Sequence, residues 1–368
     1  MKITVERSLL LDAVTRLGKV VGNKTSMPVL EGILISAEQN KTTMVAYNLE
    51  MGMKKEIYAD CEEEGDIVIN ARILSEILRR MDGDKISIVT NERLMCTISC
   101  KDSVFDIMGM AASDYPEMPS VADGEKIKIS GDVLSDMVRG TIFAVSQIEG
   151  TKPILTGIDI SVKDGILQFV GIDGFRLAIR RQKTEIQNEF EFVMSGKAIG
   201  EVVKLIDEKE EEIEITVGKR LLSFNIGGYV FISRLLDGEF VNYEKIIPTE
   251  HKQKTVINCN DFINSIERVS LLINDSFTTP VRCAFEESGV NLSCATAVGR
   301  VKERFALNME GPDFEIGLNS RYLLEALRAC DFEKITVKFS GPNTGVLITP
   351  ENENDIDFVY LIMPMRIK

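Results

Sequence analysis

The sequence predicts an α+β fold of three repeated domains, each built from two strand–helix–strand half-repeats. Three observations lead to this. A chain of 368 residues is longer than the roughly 250–300 residues that one hydrophobic core serves, so two or three domains are required. A short alternating strand followed by an amphipathic helix recurs along it, at a spacing of about 125 residues that suits a single domain. Apolar residues make up 44% of the chain, enough to give each domain a core.

The first helix unit occurs three times. Lys2-Ile3-Thr4-Val5 leads into a helix over 7–21, Lys126-Ile127-Lys128-Ile129 into one over 131–145, and Thr255-Val256-Ile257 into one over 260–273. Ser8, Asp132 and Asp261 stand where helix N-caps are expected. The second unit follows later in each third, with helices over 70–81, 195–206 and 319–330. Asn70, Ser195 and Asn319 read as their caps, and Arg72, Lys197 and Arg321 put a basic residue at the same place near each start. Alternating strands follow at 85–89, 212–217 and 334–339. Between the two units, hairpin-like strands open at Pro28-Val29-Leu30-Glu31-Gly32, Pro153-Ile154-Leu155-Thr156-Gly157 and Pro280-Val281-Arg282. The acidic clusters Glu62-Glu63-Glu64, 208–212 and 351–355 read as solvated turns. The domains are expected at 1–122, 123–250 and 251–368.

Several function classes are disfavoured. No segment approaches the ~20 consecutive apolar residues of a membrane span, and Met1-Lys2-Ile3-Thr4-Val5-Glu6 lacks the apolar core of a signal peptide. The seven cysteines are scattered without a C-x-x-C pair, which points to buried thiols in a reducing, cytoplasmic setting rather than to disulfides or zinc. The single histidine, His251, lies in a polar stretch, so Ser–His or Cys–His catalysis has no convincing base. Zinc-protease and P-loop motifs are missing, and no cofactor is implied. The net charge of −14 argues at first sight against nucleic acid.

The placement of the basic residues changes that reading. The six repeated helices sum to roughly +4, which leaves about −18 for the rest of the chain. Each helix has apolar residues at i, i+3, i+4 and i+7, and its bases fall mostly on the other face. Such faces would attract phosphates without reading bases, while the acidic remainder would repel DNA. From the residues alone three classes stay open: a nucleic-acid tether, a repeat-built scaffold that binds proteins but not DNA, and an enzyme with an unfamiliar site. The basic helix faces favour the first, and the lack of base, metal and phosphate motifs counts against the last.

Short motifs spread over the whole chain narrow this further. The start Met1-Lys2-Ile3-Thr4-Val5-Glu6-Arg7, the strand Leu49-Glu50-Met51, and Asp173-Gly174-Phe175-Arg176-Leu177-Ala178 come in that order. They are followed by Asp237-Gly238-Glu239-Phe240-Val241-Asn242-Tyr243 and the tail Tyr360-Leu361-Ile362-Met363-Pro364-Met365-Arg366. In this order they resemble the β subunits of bacterial DNA polymerase III, the sliding clamps. The resemblance implies a non-enzymatic, head-to-tail homodimer. It would form a six-domain ring with helices inside and β-sheets outside, encircling double-stranded DNA without sequence preference. The implied partners are the DNA polymerase III alpha subunit, a clamp loader, and other polymerases and repair proteins that dock through short motifs.

By match to the family, the expected peptide pocket comprises Leu155, Gly174, Phe175, Arg176, Leu177, Val241, Lys245, Ile246, Leu361, Met363, Pro364, Met365 and Arg366. Lys24, Arg72, Lys152 and Lys197 are expected at DNA. Phe105 and Ile107 are expected to meet Leu272 and Ile273 of the partner across sheet edges. This chain departs from the family pattern in four places: Phe175 for His, Val241 for Pro, Lys152-Pro153 for an Arg-aromatic pair, and Tyr47-Asn48 for Thr-Asp. Strand alternation further predicts Leu361 and Met363 on the face opposite Ile362.

Overall fold

The computed structural model describes residues 1–22, 25–39, 41–121, 123–148, 150–207, 212–274, 278–352 and 358–367. The first third runs β1 (Lys2–Glu6), α1 (Arg7–Leu17), β2 (Gly32–Glu38), β3 (Lys41–Tyr47), β4 (Met51–Tyr58), β5 (Asp60–Glu63), β6 (Gly65–Asn70), α2 (Ala71–Arg80), β7 (Lys85–Thr90), β8 (Met95–Cys100) and β9 (Ser103–Met108). The middle third runs β10 (Glu125–Ile129), α3 (Gly131–Arg139), β11 (Gly157–Lys163), β12 (Ile166–Ile172), β13 (Arg176–Lys183), β14 (Phe190–Ser195), α4 (Gly196–Val203), β15 (Ile213–Val217), β16 (Leu221–Ile226) and β17 (Tyr229–Arg234). The last third runs β18 (Gln253–Asn258), α5 (Cys259–Ser270), β19 (Val281–Glu286), β20 (Gly289–Ala295), β21 (Arg300–Ala306), β22 (Met309–Glu310), β23 (Phe314–Leu318), α6 (Ser320–Arg328), β24 (Lys334–Phe339), β25 (Val346–Pro350) and β26 (Phe358–Ile362).

The described residues divide into two compact units that do not follow the thirds. One is Met1–Leu134 with Lys197–Leu235, the other Ser135–Gly196 with Leu236–Lys368. The first unit holds a five-stranded sheet, β5-β1-β7-β8-β9, and an eight-stranded sheet, β10-β15-β16-β17-β4-β3-β2-β6. The second holds a nine-stranded sheet, β14-β11-β12-β13-β26-β25-β24-β18-β22, and a four-stranded sheet, β21-β20-β19-β23. Two seams carry sheets from one third into the next. β17 pairs antiparallel with β4, and β13 pairs antiparallel with β26, placing Leu177 opposite Leu361.

The helices form because each turns one apolar stripe onto a sheet. Leu10, Ala13, Val14 and Leu17 are buried in α1, and Phe262, Ser265, Ile266 and Val269 occupy the same positions one for one in α5. Leu74, Ile77 and Leu78 of α2 correspond in the same way to Leu323, Ala326 and Leu327 of α6. Each large apolar side chain so buried contributes about 1.5–3 kcal/mol. The repeat seen in the sequence is thus a repeat of packing positions.

The caps divide by unit. Asn70 accepts a hydrogen bond from the Ile73 N–H, and Asn319 from those of Arg321 and Tyr322, as expected. Ser195 directly precedes α4. The caps expected at Ser8, Asp132 and Asp261 are displaced. Glu6 holds the N-cap position of α1 in extended backbone, and the Ser8 hydroxyl bonds to the Glu6 carboxylate. Asn258 caps α5 by accepting from the Asp261 N–H. Asp132 and Asp261 lie in first turns, where their charge complements the helix dipole. The helices also end earlier than expected; α1 stops at Leu17 and α3 at Arg139, followed by a 3-10 turn at Ile142–Ala144. A further correction concerns Glu62 and Glu63, which belong to β5 rather than to a turn. β5 is an edge strand paired on one side with β1, so its acids project into solvent. Of the other two acidic clusters, 208–211 and 353–355 lie outside the described residues.

Candidate functional site

Two surfaces are built from the residues singled out in the sequence. The first is the polar side of the helices. Arg16, Arg139, Lys204, Arg321 and Arg328 are exposed or half-exposed but tied to acids, with Arg16–Asp12 at 2.9 Å and Arg328–Glu267 at 2.6 Å. Arg7 is structural: it donates to the Leu78 and Gly83 carbonyls at the end of α2. Lys19, Arg72, Arg79 and Lys197 are exposed and form no ion pair among the described residues. Lys19, Arg72 and Arg79 line a groove of about 660 Å³ between α1 and α2, with Glu31 and Glu76 as its acids. The related groove between α5 and α6 is about 410 Å³, and its arginines are already paired. Lys152 is exposed just ahead of the 3-10 turn Pro153–Thr156. Lys24 lies outside the described residues.

The second surface belongs to the nine-stranded sheet. Leu361 packs on one face and Ile362 on the other: Ile362 joins the core under α5 and α6, while Leu361 joins Val170, Ile172, Leu177, Ile179 and Leu347. The expected alternation is therefore seen for Leu361 and Ile362. Leu155, Phe240, Val241, Tyr243, Ile247 and Val359 partly cover this second patch. Four expected pocket residues, Leu155, Leu177, Val241 and Leu361, thus come together.

The loop before Leu177 shows why each residue of Asp173-Gly174-Phe175-Arg176 is needed. Gly174 sits at φ +90, with nothing within 4 Å of where a Cβ would lie. The Asp173 carboxylate accepts from the Phe175 and Arg176 N–H groups at 2.8 and 3.0 Å, closing the turn. Phe175 remains half-exposed and stacks on Tyr322, with ring centroids 6.3 Å apart. Its carbonyl accepts the Met363 N–H at 2.8 Å, which pins the chain end to this loop. Gly238, at φ +120, opens the second loop, and Phe240 meets Tyr243 edge to face. The Tyr243 hydroxyl accepts from Gln168 Nε2 at 2.7 Å, holding Val241 over the patch; burial raises that phenol above its usual range.

Other residues expected at the pocket lie apart from this apolar patch. Arg176 is buried on the opposite face of β13, where it bonds to Asp173 and Glu325 and lies 4.2 Å from the Tyr322 ring centre. Ile246 points outward with Lys245, and its neighbour Ile247 is the residue that packs on the patch. Beyond Pro364, Met365 donates to the Gly317 carbonyl at 2.8 Å, so the tail and Arg366 run beside β23. Phe240 and Tyr243 join the wall beyond the expected residues, and their aromatic rings within the 237–243 motif are the sequence signal for it.

At the sheet edges, β9 pairs among the described residues only with β8, and Val104, Phe105 and Met108 are exposed along it, with Ile107 half-buried. Leu272 and Ile273 are not in a strand. They close the turn after α5, where Ile273 packs on the core, and the open edge of the four-stranded sheet is β21.

Residues 1–119, 128–242 and 244–366 match, in turn, the N-terminal, central and C-terminal domains of the DNA polymerase III beta subunit. The beta sliding clamp of Bacillus subtilis (strain 168) is 30% identical over 380 residues, covering 100% of both chains. This chain belongs to the DNA polymerase III beta subunit family. A beta sliding clamp of Staphylococcus epidermidis is 29% identical over 377 residues, covering 100% of this chain and 99% of that one. The crystal structure of the DNA polymerase sliding clamp from Bacillus subtilis overlays with a TM-score of 0.93 at 29% identity, with full coverage of both chains. The chain is accordingly a DNA sliding clamp of three α+β clamp domains, a replication processivity factor without catalytic activity of its own. DNA and polymerase are the partners this membership implies. Among the described residues no helix is long and apolar enough to cross a membrane.

Proposed function

We propose that two copies of this chain close head to tail into a ring around duplex DNA, with domains ending at 122, 250 and 368. The observation that carries the DNA reading is the set of exposed bases Lys19, Arg72, Arg79 and Lys197, unpaired among the described residues and placed on the helices or, for Lys19, just after α1, in a chain whose net charge is −14. Bases already paired to acids gain little from a phosphate, whereas these four are available to one. Ring closure is supported by β9. An unpaired edge strand bearing outward Val104, Phe105 and Met108 is a template for strand addition, and β21 of a second copy offers a complementary edge bearing Arg300 and Lys302. Phe105 and Ile107 would be buried there, with Leu272 and Ile273 supporting the partner's side; four such side chains contribute on the order of 6–10 kcal/mol gross before association costs.

The patch around Leu177 and Leu361 is the proposed seat for short apolar motifs of the polymerase III alpha subunit, the clamp loader, and other polymerases and repair proteins. Met363, 37% exposed at its border, suits partners of differing shape. Two or three apolar anchors give roughly micromolar affinity once peptide ordering is subtracted.

Solution mass and DNA retention test the ring. Wild type should sediment as a dimer at micromolar concentration and Phe105→Asp as a folded monomer. Once loaded, the dimer should survive high salt on nicked circular DNA and run off a linear end. Equal retention on both templates would sink encirclement.

A further inference from the structure

Beside the Leu177 patch, and sharing Phe240, Val241 and Tyr243 with its wall, lies a cavity of about 730 Å³. Its floor continues the same face of the sheet. The cross-strand row Ile172–Leu177–Leu361 is apolar. The next row is Val193–Asp159–Val170–Ile179, and the one beyond is Glu191–Ser161–Gln168–Arg181. Polarity therefore increases stepwise away from the patch.

Part of this polar floor satisfies itself: Arg181 Nε donates to Gln168 Oε1 at 2.6 Å, and Gln168 donates to Tyr243. Asp159 does not. It is 4% exposed, lines the cavity, and its Oδ1 has no hydrogen-bond partner among the described residues. A buried carboxylate without a donor is a costly group, and a cation or strong donor from outside would relieve it. The charges around the cavity select for a cation. The carboxylates Asp164, Glu189, Glu191 and Glu244 outnumber Lys163 and Arg181, and Arg181 is already bonded to Gln168.

We propose that this cavity takes the ammonium or guanidinium group of a lysine or arginine in the partner peptide whose apolar residues fill the Leu177 patch, with Asp159 as its counter-ion. The proposal rests on the peptide reading above and adds a charge requirement to it. Continuity through Val241 and Tyr243 lets one extended peptide reach both. Burial, with a smaller contribution from the nearby Glu191 charge, lifts the Asp159 carboxyl to about 7, so the site can hold or release a proton as a cation leaves or enters. A charge-assisted hydrogen bond in such a place should tighten binding roughly tenfold.

The test is fluorescence polarisation with labelled peptides that carry apolar anchors and, at each flanking position in turn, lysine or the uncharged norleucine. Lysine should tighten binding roughly tenfold in one register. The gain should vanish in Asp159→Asn, which should bind the norleucine peptide as wild type does. No gain in any register, or the same gain in Asp159→Asn, would overturn the proposal. The pocket itself is read separately: norleucine peptides that fail to bind wild type, or that bind Leu155→Lys unchanged, sink the pocket reading. In that event the ¹³C carboxyl resonance of Asp159, titrated with butylammonium chloride in the intact protein, decides the cation site. A saturable shift supports it, and no shift refutes it.

Discussion

Replacing Asp159 by asparagine should stabilise the chain by an amount that grows with pH. In the folded protein its carboxyl is raised from 3.8 to about 7, chiefly by burial. The folded state therefore binds the proton more tightly than the unfolded state. The stability tied to that proton is fully present below the unfolded value and is lost as pH rises through the folded one. About three units at 1.36 kcal/mol each give on the order of 4 kcal/mol lost by pH 8, an upper figure because water reaching the cavity would soften it. Asparagine keeps the shape and carries no charge to desolvate. Urea unfolding followed by circular dichroism at pH 5, 6, 7 and 8 and constant ionic strength measures the difference. The advantage of Asp159→Asn should rise by roughly 1 kcal/mol per unit from pH 5 to 7 and then flatten. The amide has its own hydrogen-bonding needs, which add a constant offset, so the slope is the diagnostic quantity. A flat difference across this range would show that Asp159 is ionised and solvated in the folded protein.

Other outcomes follow from contacts already described. Arg180, buried on β13, donates to Asp136 at 2.6 Å and Asp331 at 3.0 Å. Arg180→Met should cost on the order of 2 kcal/mol in urea unfolding by removing one of the two arginines that Asp136 holds, Arg139 remaining at 2.7 Å, while Asp331→Asn, at a half-exposed site, should cost clearly less. Asn319→Ala removes the cap of α6 and should cost about 1 kcal/mol, measured in the same way. Burial pushes the Cys283 thiol up to about 12 and that of Cys96 up to about 11. Iodoacetamide at pH 8 should label the half-buried Cys61 well before either, as read by mass spectrometry; equal labelling rates would contradict this burial.

The helical framework was legible because cap and stripe coincide in α2 and α6: Asn70 and Asn319 stand where the apolar period begins, and β24 falls within its expected bounds. Ser8, Asp132 and Asp261 misled because a polar residue in the first turn looks like a cap from spacing alone; whether it caps depends on which residue has left helical backbone. Glu62 and Glu63 read as a turn because charge disfavours strands, but an edge strand can point its charges outward. The apolar part of the candidate pocket was legible in Leu177 and Leu361 through the two flanking motifs. Arg176, expected at the pocket, lies apart from the apolar patch because strand alternation turns it away from Leu177. Asp159 was missed, although a lone acid between Ile158 and Ile160 in a strand of the middle third was a visible signal that some local arrangement must accommodate it.

The seam between β4 and β17 has a consequence for anyone dividing the gene. β4 has a neighbour on both sides only when residues 229–234 are present to pair with it, so a polypeptide ending at 122 would carry a naked edge from Met51 to Lys55. Such a fragment should be sticky alone, and the remainder, 123–368, would carry the complementary edge on β17. Co-expressed, the two pieces should find each other, because each holds the strand the other lacks. In that respect the chain is less a string of separable beads than a set of overlapping clasps, and a split placed after residue 122 should be mended in trans.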